Sequence, residues 1–181
     1  MTTKNNSSGV NVVICAAGSS TRMGGSTKKE YLPLKNGTVL SEAVNKFLNS
    51  VRVEILAITI PENGLAEAEK ALFSDKSIKN KLSETKLIFV QGGSTRQKSV
   101  FNALKKIAGL KPDSDFVLIH DGARPFVTEK IIKDTLDAIE KWEAAVPGIT
   151  PVDTQKMLDK DGFIEKHLLR SQMTAVQTPQ G

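Results

Sequence analysis

A chain of 181 residues is long enough to bury one proper core and short for two. Its 39% hydrophobic and 25% charged residues are ordinary for a globular protein, and 25 Lys and Arg against 20 Asp and Glu leave a mild positive excess, formally +5. No dense basic run interleaved with aromatics argues for nucleic acid, and no apolar stretch reaches the ~20 residues of a membrane span.

The polar segment 1–9 lacks the apolar centre of a secretory signal and reads as a disordered tail, leaving residues 10–181 as a single domain expected in the cytoplasm. A modest positive balance suits polyanionic small-molecule ligands. The single cysteine, Cys15, excludes an intramolecular disulfide and any CxxC metal cluster. Within the apolar run Val12 to Ala17 it reads as a buried, inert thiol.

Short β-rich runs alternate with helical stretches, which predicts an α/β fold with helices on both faces of a largely parallel, partly mixed sheet. The first strand is predicted over Val10 to Ala16. Ser41 is expected to cap a helix through Asn49 that turns Ala43, Val44, Phe47 and Leu48 to the core. Strands follow at Val53 to Ile60, Lys86 to Gln91 and Asp115 to His120. Between them, Pro61 is expected to open a helix carrying Leu65, Ala68 and Leu72. Ser94 or Thr95 begins the next, and Thr128 starts one that ends near Trp142, itself read as a packing residue. A fifth strand is expected at Ala144 to Ile149. After Pro151 the apolar residues thin out, and 150–181 reads as an arm or hairpin that needs a partner surface.

Three loops carry chemistry. Ala16 to Lys29 leaves the first strand at the edge where open α/β sheets bind ligands, and its small residues and hydroxyls suit phosphate oxygens. Arg22 and Lys29 put positive charge at its two ends. It is neither a P-loop nor a GxGxxG turn, and composition alone supports a phosphate cradle and a plain polar surface loop equally. Gln91 to Ser99 runs from a strand through Gly92-Gly93 into a helix N-terminus, a site for an anion or a base edge, or an ordinary capped turn. His120-Asp121-Gly122-Ala123-Arg124-Pro125 offers an Asp for a ribose or a metal and an Arg for phosphate, or an internal ion pair. His120 reads as structural, and His167 as exposed without a partner.

Taken together, A-A-G-x-S-x-R-M, K-x-Y-L, G-G-S-x-R-x-x-S-V, H-D-G-A-R-P, D-T-x-K and Q-T-P-Q, in order across nearly the whole chain, resemble the 2-C-methyl-D-erythritol 4-phosphate cytidylyltransferases. The resemblance implies a Rossmann-like nucleotidyltransferase with a protruding β-arm for dimerisation, and a homodimer. It implies transfer of CMP from CTP to 2-C-methyl-D-erythritol 4-phosphate, with pyrophosphate released and Mg²⁺ held mainly by the triphosphate. Arg22 and Lys29 match the catalytic pair, and Ala16, Ala17, Gly18, Gly93, Ser99 and Gly122 match nucleotide contacts. Asp121 lies at the reacting centre, and Arg124, Thr154, Arg170 and Thr178 match the acceptor's contacts, partly across the dimer. Metal ligands are not implied. The stretch Pro151 to Thr154 is one residue shorter than the family's, and the family continues beyond Gly181, so the arm is expected to be incomplete.

A phosphate monoester acceptor, with a second pKa of about 6, is largely dianionic at neutral pH and needs no general base. A cytidylyltransferase for another polyol phosphate such as ribitol 5-phosphate, and a nucleotide-binding module impaired in catalysis, are the competing readings. A dinucleotide-dependent oxidoreductase is disfavoured, because GxGxxG is absent and Ile60-Pro61 stands where an acidic residue would end the second strand.

Overall fold

The computed structural model describes residues 9–18 and 28–181. Arg22 and residues 1–8 of the tail expected over 1–9 lie outside the described residues. β1 (Val10–Cys15), β4 (Val53–Ile60), β5 (Lys86–Gln91) and β6 (Val117–Asp121) form one parallel sheet in the order β5-β4-β1-β6. The order reverses at β1, since β4 and β5 step outward on one side and β6 lies on the other. Such a switch point opens a crevice at the carboxyl ends of the strands, here between Cys15 and Asp121, which are register partners.

The pleat sorts β1 onto two cores. Val10, Val12 and Ile14 face Leu40, Val44 and Phe47 of α1 (Val39–Ser50) and Ile132 and Ile139 of α5 (Glu129–Trp142). Val13 faces Ala103 and Ile107 of α4 (Arg96–Gly109) on the opposite side. Helices thus cover both faces, and β1 is apolar throughout except for Asn11, whose amide donates to the Ser114 and Phe116 carbonyls. The edge strand β5 is only half-buried.

The helix starts refine the expectations. α1 is capped by Thr38, and Ser41 is the third helical residue of a reciprocal capping box rather than the cap. α2 (Leu65–Leu72) begins four residues after Pro61, because Pro61 opens a turn whose carbonyl accepts from the Gly64 amide. Thr95 and Thr128 cap α4 and α5 as anticipated. Short elements complete this part: β2 (Pro33–Leu34) pairs β3 (Gly37–Thr38), and α3 (Ser77–Lys81) precedes β5. Trp142 is not a packing residue. It ends α5 at 68% exposure with the Lys141 ammonium 4.8 Å from its ring centroid.

The fifth strand is also corrected. Only Gly148–Ile149 (β7) is extended in a ladder, pairing with Ala175–Val176 rather than with the central sheet; Pro147 has no amide to donate. Beyond Val176 the chain meets β6 at one antiparallel bridge, where Ile119 and Gln180 exchange both backbone hydrogen bonds. The four-stranded sheet itself is parallel throughout, and the antiparallel contact beside it is this single bridge. Between β7 and the tail, β8 (Lys156–Leu158) and β9 (Ile164–His167) form an exposed hairpin closed by Asp159 to Gly162. β10 denotes Ala175–Val176. His167 does have a partner, the Lys156 ammonium 2.7 Å from Nδ1 across the hairpin.

Candidate active site

Three loops leaving β1, β5 and β6 meet around a cleft of about 610 Å³, within the range of small-molecule sites. Of the residues singled out in the sequence, Ala17, Gly18, Lys29, Gly93, Ser99, Asp121 and Arg124 line it. Ala16 lies buried just beneath, its amide bonded to the Thr59 backbone and hydroxyl oxygens. Gly122 is buried too, and its amide donates to the Cys15 carbonyl. Thr154, Arg170 and Thr178 are not among the lining residues. The Arg170 guanidinium holds the Val152 carbonyl at 2.6 Å, and Thr178 is buried against His120.

Each loop is fastened to its strand. Lys28 Nζ donates to the Gly18 carbonyl at 2.6 Å, tying together the described ends of the first loop. Ser99 Oγ accepts from the Gly93 amide at 3.0 Å and donates to the Thr95 carbonyl, so α4 grips the glycine loop before it. Gly92 allows the first and second loops to touch, since a Cβ there would stand 2.3 Å from the Ala17 Cβ. The N-terminus of α4 opens beside the cleft, where its dipole and leading amides favour an anion.

Electrostatically, Asp121 is the hub. One carboxylate oxygen accepts from Arg96 Nε at 3.0 Å and the other from Arg124 Nε at 3.1 Å. The internal ion pair and the ligand site read from this loop are therefore the same object: two guanidinium groups held at the cleft wall by one carboxylate. Burial pushes the Cys15 thiol up to about 11, so it is protonated and unreactive at neutral pH although it lines the cleft.

Arg96, Thr59, Glu30 and Cys15 line the cleft without having been assigned a site role from the sequence. Arg96 had a signal, as the first helical residue after a glycine loop. Thr59 and Cys15 had a weaker one, their place at the carboxyl ends of adjacent strands. Glu30 sits next to Lys29 and is buried, which the polarity of the loop gave no reason to expect.

His120 is fully buried, and burial pushes its imidazole below the ordinary value of 6.5; the hydrogen bond to the Arg124 carbonyl and the Asp121 carboxylate oppose this in part, while the Arg124 and Arg96 charges reinforce it. The folded protein thus binds this proton less readily than the unfolded chain. Stability from His120 is present above about pH 6.5 and is lost as the pH falls through that value towards the folded-state pKa. Denaturant midpoints measured from pH 7.5 to 5.5 should fall more steeply for the wild type than for His120→Gln, and parallel curves would contradict the assignment.

The model of the family described as IspD, 2-C-methyl-D-erythritol 4-phosphate cytidylyltransferase, matches residues 10–181. The chain belongs to this family. The 2-C-methyl-D-erythritol 4-phosphate cytidylyltransferase of Clostridium beijerinckii is 36% identical over 171 residues, 94% of this chain and 71% of that protein. That of Clostridium acetobutylicum is 37% identical over 168 residues, covering 93% and 69%. Among solved structures, the 4-diphosphocytidyl-2C-methyl-D-erythritol synthase of Anaerococcus prevotii superposes with a TM-score of 0.69 at 26% identity, covering 96% of this chain and 69% of that one. The Thermus thermophilus cytidylyltransferase gives 0.66 at 26% identity, covering 95% and 69%. The four-stranded parallel sheet with flanking helices is the fold of these neighbours.

Proposed function

We propose that the chain transfers CMP from CTP to 2-C-methyl-D-erythritol 4-phosphate and releases pyrophosphate. The observation that carries this reading is the convergence of three cationic, glycine-bearing loops on one cleft at the switch point of the sheet. Family membership supplies the substrates.

In this reading the acceptor's phosphate oxygen attacks the α-phosphorus, a new P–O bond forms, and the bond to the β-phosphate oxygen breaks with its electron pair leaving on pyrophosphate. The dianionic acceptor brings its own nucleophile, so the protein must supply placement and positive charge. Lys29 and Arg22 stabilise the charge that builds on the α-phosphoryl and leaving groups. Ala16, Ala17, Gly18, Gly93 and Ser99 bind the nucleotide, Gly122 and Asp121 border its ribose and the reacting centre, and Arg124 takes the acceptor's phosphate.

Among the described residues no group of three or more His, Cys, Asp or Glu is placed to hold a metal ion. The cleft's carboxylates are Glu30 and Asp121. That sparse donor set fits Mg²⁺ carried on triphosphate oxygens with at most one or two protein carboxylates. Bound so, the ion supplies further neutralisation of the triphosphate.

Thr154 and Arg170 complete the acceptor's contacts from the arm of a second subunit, whereas Thr178, buried against His120, acts on the acceptor only through that histidine. Val152, Phe163 and Ile164 are 82%, 71% and 65% exposed on and beside the β8–β9 hairpin, apolar surface that a partner would cover. The protein should sediment as a homodimer, and a strictly monomeric result at high concentration would contradict this. No helix among the described residues is long and apolar enough to cross a membrane, and the reaction's substrates suit the cytoplasm.

The functional test is pyrophosphate release from CTP with a panel of polyol phosphates, with and without Mg²⁺. Preference for 2-C-methyl-D-erythritol 4-phosphate is the expected result. Equal or faster release with ribitol 5-phosphate would replace the acceptor assignment, and none with any acceptor would leave a nucleotide-binding module.

A further inference from the structure

Beneath the β6 turn lies a polar group that the transfer itself does not use. Both ring nitrogens of the buried His120 are engaged, Nε2 with the Arg124 carbonyl at 2.9 Å and Nδ1 with the Thr178 hydroxyl at 2.8 Å. A carbonyl only accepts, so Nε2 carries the proton; in the neutral ring Nδ1 then accepts, and Thr178 donates. One tautomer satisfies both contacts.

The two partners belong to different pieces of chain. Arg124 ends the turn that begins at Asp121, while Thr178 lies on the tail that pairs with Ile119 through Gln180. The residue before Thr178, Gln177, accepts from the Arg124 guanidinium through Oε1. Arg124 is therefore held at its backbone by His120 and at its side chain by Asp121 and Gln177. The Phe47 ring, 5.0 Å away between centroids, backs the imidazole.

We propose that His120 is a positioning residue for acceptor binding, locking the Arg124 turn to the Gln177–Thr178 tail so that the guanidinium is preset for the acceptor's phosphate. This rests on the reading of Arg124 as that phosphate's contact. Two amides dissect the bracket. His120→Asn sets an oxygen near the Nδ1 position and keeps an acceptor for Thr178 while losing the donor to Arg124. His120→Gln sets an NH₂ near the Nε2 position and keeps the donor while losing the acceptor, and Thr178→Val removes the same contact from the other side.

In steady-state assays, His120→Asn should raise KM for the polyol phosphate about tenfold with KM for CTP within about twofold of wild type. His120→Gln and Thr178→Val should each raise it less, and the double variant should be no worse than either single change. A purely structural histidine would lower the active fraction and leave both KM values alone. That result, or equal rises in both, overturns the proposal. If His120→Asn does not fold, Thr178→Val carries the test, and an unchanged acceptor KM overturns it. Wild type in the same plate separates the two claims: if it turns over no acceptor, the functional reading fails. The bracket is then judged by titrating inorganic phosphate against the Arg124 Nε–H resonance. Weaker binding by Thr178→Val supports it, and equal binding overturns it.

Discussion

Replacing Lys29 with alanine should lower the rate of CMP transfer by about 100- to 1000-fold while leaving the fold intact, the usual cost of removing a preorganised charge aimed at a developing anion. Lys29 opens a single 3-10 turn at the rim of the cleft and belongs to neither hydrophobic core, so its loss leaves both cores intact. The loss should fall on kcat more than on KM for CTP, because the α-phosphoryl group gains its extra charge only as the bond to pyrophosphate lengthens. Lys29→Arg should recover part of the rate, since it restores charge but not the compact ammonium. Pyrophosphate release and a thermal melt on the same samples check this. Near-normal turnover by Lys29→Ala would remove the ammonium from the mechanism.

The second large effect is on stability. Phe47 is fully buried between α1 and the sheet and lies against the His120 ring. Phe47→Ala should cost about 3–5 kcal/mol, combining lost transfer energy with the cavity left behind. Against a typical total of about 5–15 kcal/mol this leaves a marginal fold. Because the cavity would open behind His120, the residual folded protein should also bind acceptor less tightly than CTP, relative to wild type. Urea unfolding checks the first claim, and a loss below about 1 kcal/mol would show that the site relaxes around the gap.

Much of this architecture is legible in the sequence because β1, β4 and β5 are short runs dominated by Val, Ile and Leu and bounded by turn residues, and Thr95 and Thr128 stand directly before helical stripes. The local errors have local causes. Ser41 looked like a cap because Thr38 sits in a short strand, and only the reciprocal geometry shows which of the two begins the helix. The run at Ala144 to Ile149 looked like a strand, but Pro147 and the late arrival of the tail decide which backbone it pairs with.

The site was legible as loops and less so as contacts. Glycine-rich turns after strands named Gly18, Gly93 and Asp121. Nothing local revealed that Arg96, 25 residues away, shares the Asp121 carboxylate. The bond between His120 and Thr178 spans 58 residues, so it follows from topology rather than from either motif. Arg22 rests on the motif alone, because it lies outside the described residues.

The central claim, that the three-loop cleft joins CMP to a phosphate acceptor, is tested most directly by following the label. With CTP carrying a radioactive α-phosphate and 2-C-methyl-D-erythritol 4-phosphate as acceptor, the label should move into a CDP-linked alcohol, while label in the γ-position should leave in pyrophosphate. Label from the α-position released as free CMP, or γ-label transferred to the acceptor, would contradict the account.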